Sequence, residues 1–379
     1  MKVLYIGCYR DLTGWGQAAT DYILAMDSAG IDVVCKPLKL NKNLAAIPDR
    51  LIELESKDSS GADVCIQHVL PHYMDFNGRF KKNIALYATE TSHFKGSSWA
   101  SRINQLDEAW VINNEMVEAS RNSGVNIPIK VIPHASDVSK FSSNPTPLDI
   151  PQIEGKFTFY FIGDFTLRKN LGALLKAYHL EFSNNEDVSL IIKTSQYGTP
   201  ELECVEKVRK ICSEIKLNLK LYPSLEQYKE ELIIAHRLSE EEIQGLHAAC
   251  DCFVMPSYGE AWCIPAFDAM GFGKTPICTD VGGMSDFVGR GEEAGGVLVK
   301  GTTEPVFGML ETFEDIYTSK EDWVRIDVRS LQSSMRKIYE ESKKNSKSYQ
   351  NMKSAGLKQA KKFSYESIGN LIKQELENA

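Results

Sequence analysis

Short apolar runs alternate with longer amphipathic stretches from the first residues of the chain onward. KVLYIGCY (residues 2–9) has the continuous apolar character of a buried strand. A glycine-containing turn follows, then a helical pattern from about Gln17 to Ala29. IDVVCKPL, DVCIQHVL, NIALYAT, EAWVIN and IKVIPHA repeat the theme, each short, rich in branched residues and bounded by polar or turn residues. SWASRINQL and NEMVEASRNSG lie between them and read as helices. Alternation of this kind predicts a parallel sheet, because parallel neighbours need a crossover and the crossover helices then cover both faces.

The pattern breaks at SSNPTPLDIPQIEGK (residues 142–156), which carries three prolines, has no periodicity and reads as a linker. Beyond it the alternation restarts. FTFYFIGD, VSLIIKT, LKLYPS, LIIAHR, DCFVMPS, PICTD and GGVLVK are strand candidates, with helices expected near 170–183, 201–215 and 239–249. The expected fold class is α/β, with two doubly wound Rossmann-like domains in tandem, residues 1–150 and 151–362. Open parallel sheets bind ligands beyond the carboxyl ends of their strands, so a ligand shared by two such domains is expected in the cleft between them.

Composition narrows this only a little. With 379 residues, 43% hydrophobic and 25% charged, the chain is that of an ordinary globular protein, of a length that suits two or three domains. It has no apolar run long enough to span a membrane, and MKVLYIGCYRDL lacks the pattern of a signal peptide. The nine cysteines are scattered, with no CxxC pair and no zinc spacing. A reducing cytoplasm is the expected location, and no metal or cofactor is expected. The net charge of −8 argues against a general nucleic-acid coat. One stretch runs the other way: Lys343 to Lys362 holds seven lysines and no acid. A solvated helix face is the plain reading, and a patch for an anionic surface (lipid, lipid-linked saccharide or nucleic acid) the sharper one.

Three stretches carry candidate chemistry. GWGQAAT (14–20) follows the first strand and opens a helix; Gly14 and Gly16 let the backbone approach a ligand, and the helix start favours an anion. GDFTLRKN places Arg168 and Lys169 at a strand's carboxyl end, where two adjacent cations suit a diphosphate. GEAWCIPAFDAMG sets Glu260 in a loop and Asp268 about one helical turn past Pro265, with the amides around Trp262, Cys263 and Ile264 facing the same space. Carboxylates for hydroxyls, with cations and amides for an anion, fit a polyol bearing a phosphate, such as a nucleotide sugar. Two solvated acids at a helix start would give the same letters. Of the histidines, His68, His72 and His93 end apolar runs in the first half, where an acceptor would dock, and His134 lies near the linker.

PSYGEAWCIPAFDAMGFGKTPI resembles the E-x7-E motif of family 4 retaining glycosyltransferases, which have the GT-B fold. The resemblance extends to the glycine loop, INQLDEAWVINN, VIPHASDVSKF, the RKN loop, HRLSEEEIQGLHAACDCFVMPSYGE and TDVGGMSDFV. It implies Glu260 near the donor sugar hydroxyls, Asp268 on the nucleotide ribose, Lys169 on the phosphates, and Gly14 and Gly16 beside the diphosphate. It also implies metal-independent transfer of a hexose or pentose, and a C-terminal helix, about 363–379, packing back on the first domain. Several positions depart from the family. Asp268 stands for glutamate, Ala261–Trp262–Cys263 for a glycine-rich loop, and Asp164 for an arginine whose part falls to Arg168. Glu90 stands near a histidine position, with His93 three residues on; one of the two is expected to face the sugar. The acceptor is a saccharide, a lipid-linked saccharide or another hydroxyl, or a modified nucleic-acid base. The departures keep open an inert nucleotide-sugar binder. An epimerase or phosphorylase on the same fold is a further alternative, although a phosphorylase would carry a pyridoxal-phosphate lysine motif that is not evident here.

Overall fold

The computed structural model describes residues 1–39, 46–310 and 314–378. It divides into two compact units, each built on its own sheet. The first comprises Met1–Lys140 and takes back Pro305–Asp322 and Lys361–Ala379. Its strands are β1 (Lys2–Gly7), β2 (Asp32–Pro37), β3 (Val64–His68), β4 (Lys82–Leu86), β5 (Glu108–Val111) and β6 (Ile129–Val131). They pair in parallel in the order β2-β1-β3-β4-β5-β6. The helices of this stretch are α1 (Gly14–Ser28), α2 (Asp49–Ser56), α3 (Trp99–Ile103) and α4 (Asn114–Asn122). α1 begins three residues earlier than the apolar pattern suggests, because the Thr13 side chain caps it and accepts from the Gly16 amide at 3.3 Å.

The second unit comprises Phe141–Glu304 and Trp323–Ala360. β7 (Phe157–Asp164), α5 (Leu171–Glu181), β8 (Val188–Ser195), α6 (Glu201–Leu219) and β9 (Leu232–Ile234) form one half. α7 (Glu240–Ala249), β10 (Cys252–Met255), α8 (Ile264–Gly271), β11 (Ile277–Thr279), α9 (Gly282–Val288) and β12 (Val297–Val299) form the other. The sheet order is β12-β11-β10-β7-β8-β9, and the pairs are parallel. The chain winds outward from β7, then crosses back to β10 on its other side, so the switch in strand order lies between these two. β7, β8 and β10 read as near-continuous apolar runs because helices bury both faces: Phe159, Tyr160, Leu190, Ile191, Ile192, Phe253 and Val254 are fully buried. SEEEIQ starts α7 with a complete capping box between Ser239 and Glu242.

A two-stranded ribbon of β13 (Gly301–Pro305) and β14 (Asp322–Ile326) precedes α10 (Val328–Lys343), α11 (Lys347–Lys361) and α12 (Tyr365–Glu377). α12 belongs to the first unit, where Ile368, Ile372 and Leu376 join the core cluster of Ile23, Ala25 and Met26 on α1. Each such burial stabilises by roughly 1.5–3 kcal/mol.

One expected strand is absent. LKLYPS starts on the last residue of α6, turns at Lys220 in the left-handed region (φ 53°) and leaves Leu221 exposed, so its apolar residues have no sheet to join. All nine cysteines are free and buried. Among the described residues, no helix is long and apolar enough to cross a membrane.

Candidate functional site

The switch between β7 and β10 brings two loops together at the carboxyl ends of these strands, where an open parallel sheet offers its binding crevice. The first loop runs from Asp164 to Asn170, and the second from Pro256 to Cys263. Asn170 takes the left-handed conformation (φ 54°) and its amide group donates to the Pro256 carbonyl at 3.0 Å. The Ser257 hydroxyl meets the Arg168 carbonyl at 3.1 Å and the Gly259 carbonyl at 2.9 Å. The Tyr258 amide donates to the Arg168 carbonyl at 2.9 Å, and the Val324 amide of β14 donates to the Tyr258 carbonyl at 2.9 Å. The Tyr258 ring stacks on Trp323 at 4.2 Å. The loops therefore hold each other through their backbones, and the charged side chains are left to face one another.

Those side chains are Arg168, Lys169 and Glu260. Lys169 Nζ lies 2.7 Å and Arg168 Nη1 3.1 Å from Glu260 Oε1. Arg168 Nη1 also donates to the Gly259 carbonyl at 2.6 Å. Glu260 is 6% exposed, while Lys169 and Arg168 keep 14% and 17%. Burial opposes the Glu260 charge, but the two cations prevail and hold its carboxyl below its ordinary range. The cluster is thus a buried carboxylate under two partly open cations, with a net positive charge. It can accept hydroxyl hydrogens at the carboxylate and meet an anion with the cations.

The Glu260 carbonyl receives the Gly283 amide at 3.2 Å. A Cβ on Gly283 would lie 2.4 Å from the Ala261 carbonyl, so only glycine lets the start of α9 approach the loop this closely. Cys263 turns the chain into α8 through a left-handed conformation (φ 76°), and Ile264 and Pro265 open the helix. The Trp262 ring is buried against Phe267 and Phe287 at 5.8 and 5.1 Å. The Cys263 thiol is buried and pushed up to about 12 by that burial and by Glu260. Asp268 is half-buried, one turn into α8.

The remaining candidates lie in the first unit. Gly14 and Gly16 form the first turn of α1. Gly14 has nothing within 4 Å of an added Cβ, whereas at Gly16 that atom would sit 1.9 Å from the Asp11 carbonyl, so its own turn already requires glycine there. Trp15, between them, stacks on His68 at 5.2 Å and 26°. His68 closes β3 and meets the Tyr5 hydroxyl at 2.5 Å. Burial lowers His68 and His134 to about 3, and both are neutral at pH 7. His134 lies edge-on to Tyr22 at 5.7 Å. Glu90 accepts from the Tyr317 hydroxyl. His93 Nε2 is 3.0 Å from the Lys320 carbonyl and accepts the Lys95 amide on Nδ1 at 3.3 Å. The returning segment, residues 314–322, therefore braces the loop that carries both.

The structure thus brings Arg168, Lys169 and Glu260 together, with Trp262, Cys263, Ile264 and Asp268 on the adjoining turn and helix. Sequence reasoning missed the residues that join the loops: Asn170, Ser257 and Gly283. Asn in RKN, ahead of a helical pattern, is the letter for a left-handed turn, and SYG the letters for a tight one. Their joint role depends on strand order, which no local pattern states.

Residues 149–307 match the family described as glycosyl transferases group 1. The span contains both loops of the site. Over 192 residues, 49% of this chain, the sequence is 26% identical to a glycogen synthase of Lachnospira eligens, and the match spans 36% of that relative's length. The whole chain superposes on the sucrose-phosphate synthase from Thermosynechococcus elongatus with a TM-score of 0.67 at 14% identity, covering 100% of this chain and 98% of that one. It superposes on HepE of Anabaena, solved with UDP-glucose, with a TM-score of 0.64 at 13% identity, covering 100% of both chains. These likenesses establish the fold as GT-B.

Proposed function

We propose that the chain is a retaining glycosyltransferase that moves a sugar from a nucleotide-diphosphate sugar to an acceptor hydroxyl. The observation that carries this reading is the Arg168–Lys169–Glu260 cluster at the switch between β7 and β10. The group 1 match over residues 149–307 supports it, as do HepE structures with UDP and UDP-glucose.

The barrier is separation of charge, as the bond from the sugar's anomeric carbon to the diphosphate oxygen breaks. In this proposal Lys169 and Arg168 turn from Glu260 to the leaving diphosphate and stabilise its growing charge, the role a metal plays elsewhere. Glu260 accepts hydrogen bonds from the sugar hydroxyls, and its negative charge favours the oxocarbenium-like transition state. Asp268 holds the ribose. The acceptor oxygen attacks the same face of the sugar, and a leaving phosphate oxygen takes its proton. Trp15, in the first turn of α1 between Gly14 and Gly16, stacks on His68, and its aromatic ring is the kind of surface that sugars pack against.

The departures at Asp164, Ala261 and Asp268 favour a second reading, an inert nucleotide-sugar binder. Nucleotide release from a panel of nucleotide sugars, with lysate fractions as acceptor source, separates the two. The transferase releases nucleoside diphosphate with EDTA present, and mass spectrometry finds a glycosylated product with the donor's anomeric configuration. Binding without release across the panel would favour the inert reading.

A further inference from the structure

A cavity of about 510 Å³ lies in the second unit, away from the loops of Glu260 and Lys169. Those loops follow the carboxyl ends of β7 and β10. The cavity takes its floor from Ala248 at the end of α7 and from Phe272–Lys274, ahead of β11, so it belongs to the amino-terminal side of the sheet. Phe141, Pro145 and Leu357 supply apolar wall. Phe141 is fixed there by edge-on packing against Phe272 at 5.1 Å.

Two lysines line this cavity and no acid does, on a chain whose net charge is −8. Lys274 gives one ammonium hydrogen to the Ala248 carbonyl at 3.1 Å, which caps α7 and leaves its other donors for a ligand. Burial pushes the Lys274 ammonium down, and Lys353 adds to this by repulsion. The opposing acid is Asp251, a buried carboxyl that accepts the Thr158 amide at 2.7 Å. Lys353 comes from the lysine-rich stretch of α11. At roughly 100° per residue, Lys347, Lys358 and Lys361 fall on one side of that helix and Lys353 on another. This lysine therefore stands apart from the solvated basic face. Lys353 Nζ lies over the Tyr349 ring at 5.5 Å, and the repulsion between the two lysines would be relieved by an anion in the cavity that Ser143, Asn144, Gln350 and Ser354 also line.

We propose that this cavity binds a small phosphate-bearing molecule, with Lys274 and Lys353 holding the phosphate and the Phe141–Phe272–Leu357 wall covering any carbon frame. Isothermal titration with inorganic phosphate and with a hexose monophosphate tests it on the full chain and on K353Q, K274M and K169A. The proposal expects a phosphate-bearing probe to bind the parent and K169A alike, and to bind K353Q at least about tenfold more weakly, since a charge-assisted contact is lost. Tighter binding of the hexose monophosphate assigns a phosphorylated sugar as the ligand, and equal binding assigns free phosphate. K274M is expected to lose binding too, but it also removes the cap of α7; K353Q, on a helix surface, keeps the test independent of folding. Absence of heat from both probes at millimolar concentration overturns the proposal. So does binding that is lost in K169A and kept in K353Q, because it would assign the phosphate to the Arg168–Lys169 site.

Discussion

Two buried glutamates in the second unit each face two basic side chains, yet the two clusters have opposite characters. Glu231 meets Lys216 at 2.7 Å and also pairs with His179. Glu260 meets Lys169 at 2.7 Å and Arg168 at 3.1 Å. The carboxylates are equally enclosed, at 5% and 6% exposure, but His179 is 1% and Lys216 10% exposed, against 14% and 17% for Lys169 and Arg168. His179 stands on α5 and Lys216 on α6. Lys216 also donates to the Lys229 carbonyl at 2.9 Å, and the His179 ring is walled edge-on by Tyr178 and Tyr228. Both basic groups are thus carried by helices, and Glu231 sits immediately ahead of β9. Arg168, Lys169 and Glu260 stand on loops at the carboxyl ends of strands, where the proposed function has the cations exchange a carboxylate for a phosphate. Chemistry alone does not separate a brace from a site; the elements that carry the charges do.

The comparison breaks most visibly if the brace is cut. Glu231→Ala leaves a buried lysine without its carboxylate and is expected to cost about 3–5 kcal/mol of stability, read as a lowered denaturation midpoint, while the folded fraction keeps its turnover. Unchanged stability would remove the distinction. Glu260→Gln is expected to act mainly on turnover: kcat falls roughly tenfold to a thousandfold, a loss of about 1.4–4 kcal/mol, with a smaller fall in melting than Glu231→Ala shows. Binding of free nucleoside diphosphate stays nearly normal in this variant. Lys169→Ala is expected to weaken donor binding and turnover at least about tenfold, without rescue by magnesium; normal kinetics would take Lys169 out of the site. The smallest effect belongs to Asp268→Asn, which is expected to raise the donor KM and leave kcat, because ribose contacts are alike in ground and transition states.

Acid gives a second test of the brace. Burial opposes the Glu231 charge, but His179 and Lys216 hold its carboxyl below the ordinary value of 4.5. A carboxyl lowered by folding stabilises above its unfolded pKa, and that contribution is lost as pH falls through the lowered value. Stability curves of the parent and Glu231→Gln should therefore stay apart at neutral pH and converge only below about 4.5. Curves that run parallel into strong acid would contradict the account.

Much of the architecture was legible in the hydrophobic pattern, because fully buried parallel strands leave continuous apolar runs such as FTFYFIGD and VSLIIKT. LKLYPS misled, since Leu219 at the end of α6 and the exposed Leu221 beyond it imitate a strand. The ribbon of β13 and β14 went unread because GTTEP has no apolar face, and the return of Pro305–Asp322 to the first unit is a tertiary event. Arg168, Lys169 and Glu260 were legible as residue types near strand ends. Their meeting on one carboxylate oxygen was not, because it needs β10 beside β7, across 91 residues of chain. Glu231 and its partners left no signal at all: a glutamate beside an apolar triplet looks like surface.

The central claim is that the Glu260 cluster is where a nucleotide sugar reacts. Nucleotide release at saturating donor by Glu260→Gln, alongside its melting curve, tests this most directly. The account predicts turnover at least about tenfold below the parent in a protein that still melts cooperatively as a folded chain. Full turnover in a folded Glu260→Gln protein would contradict it.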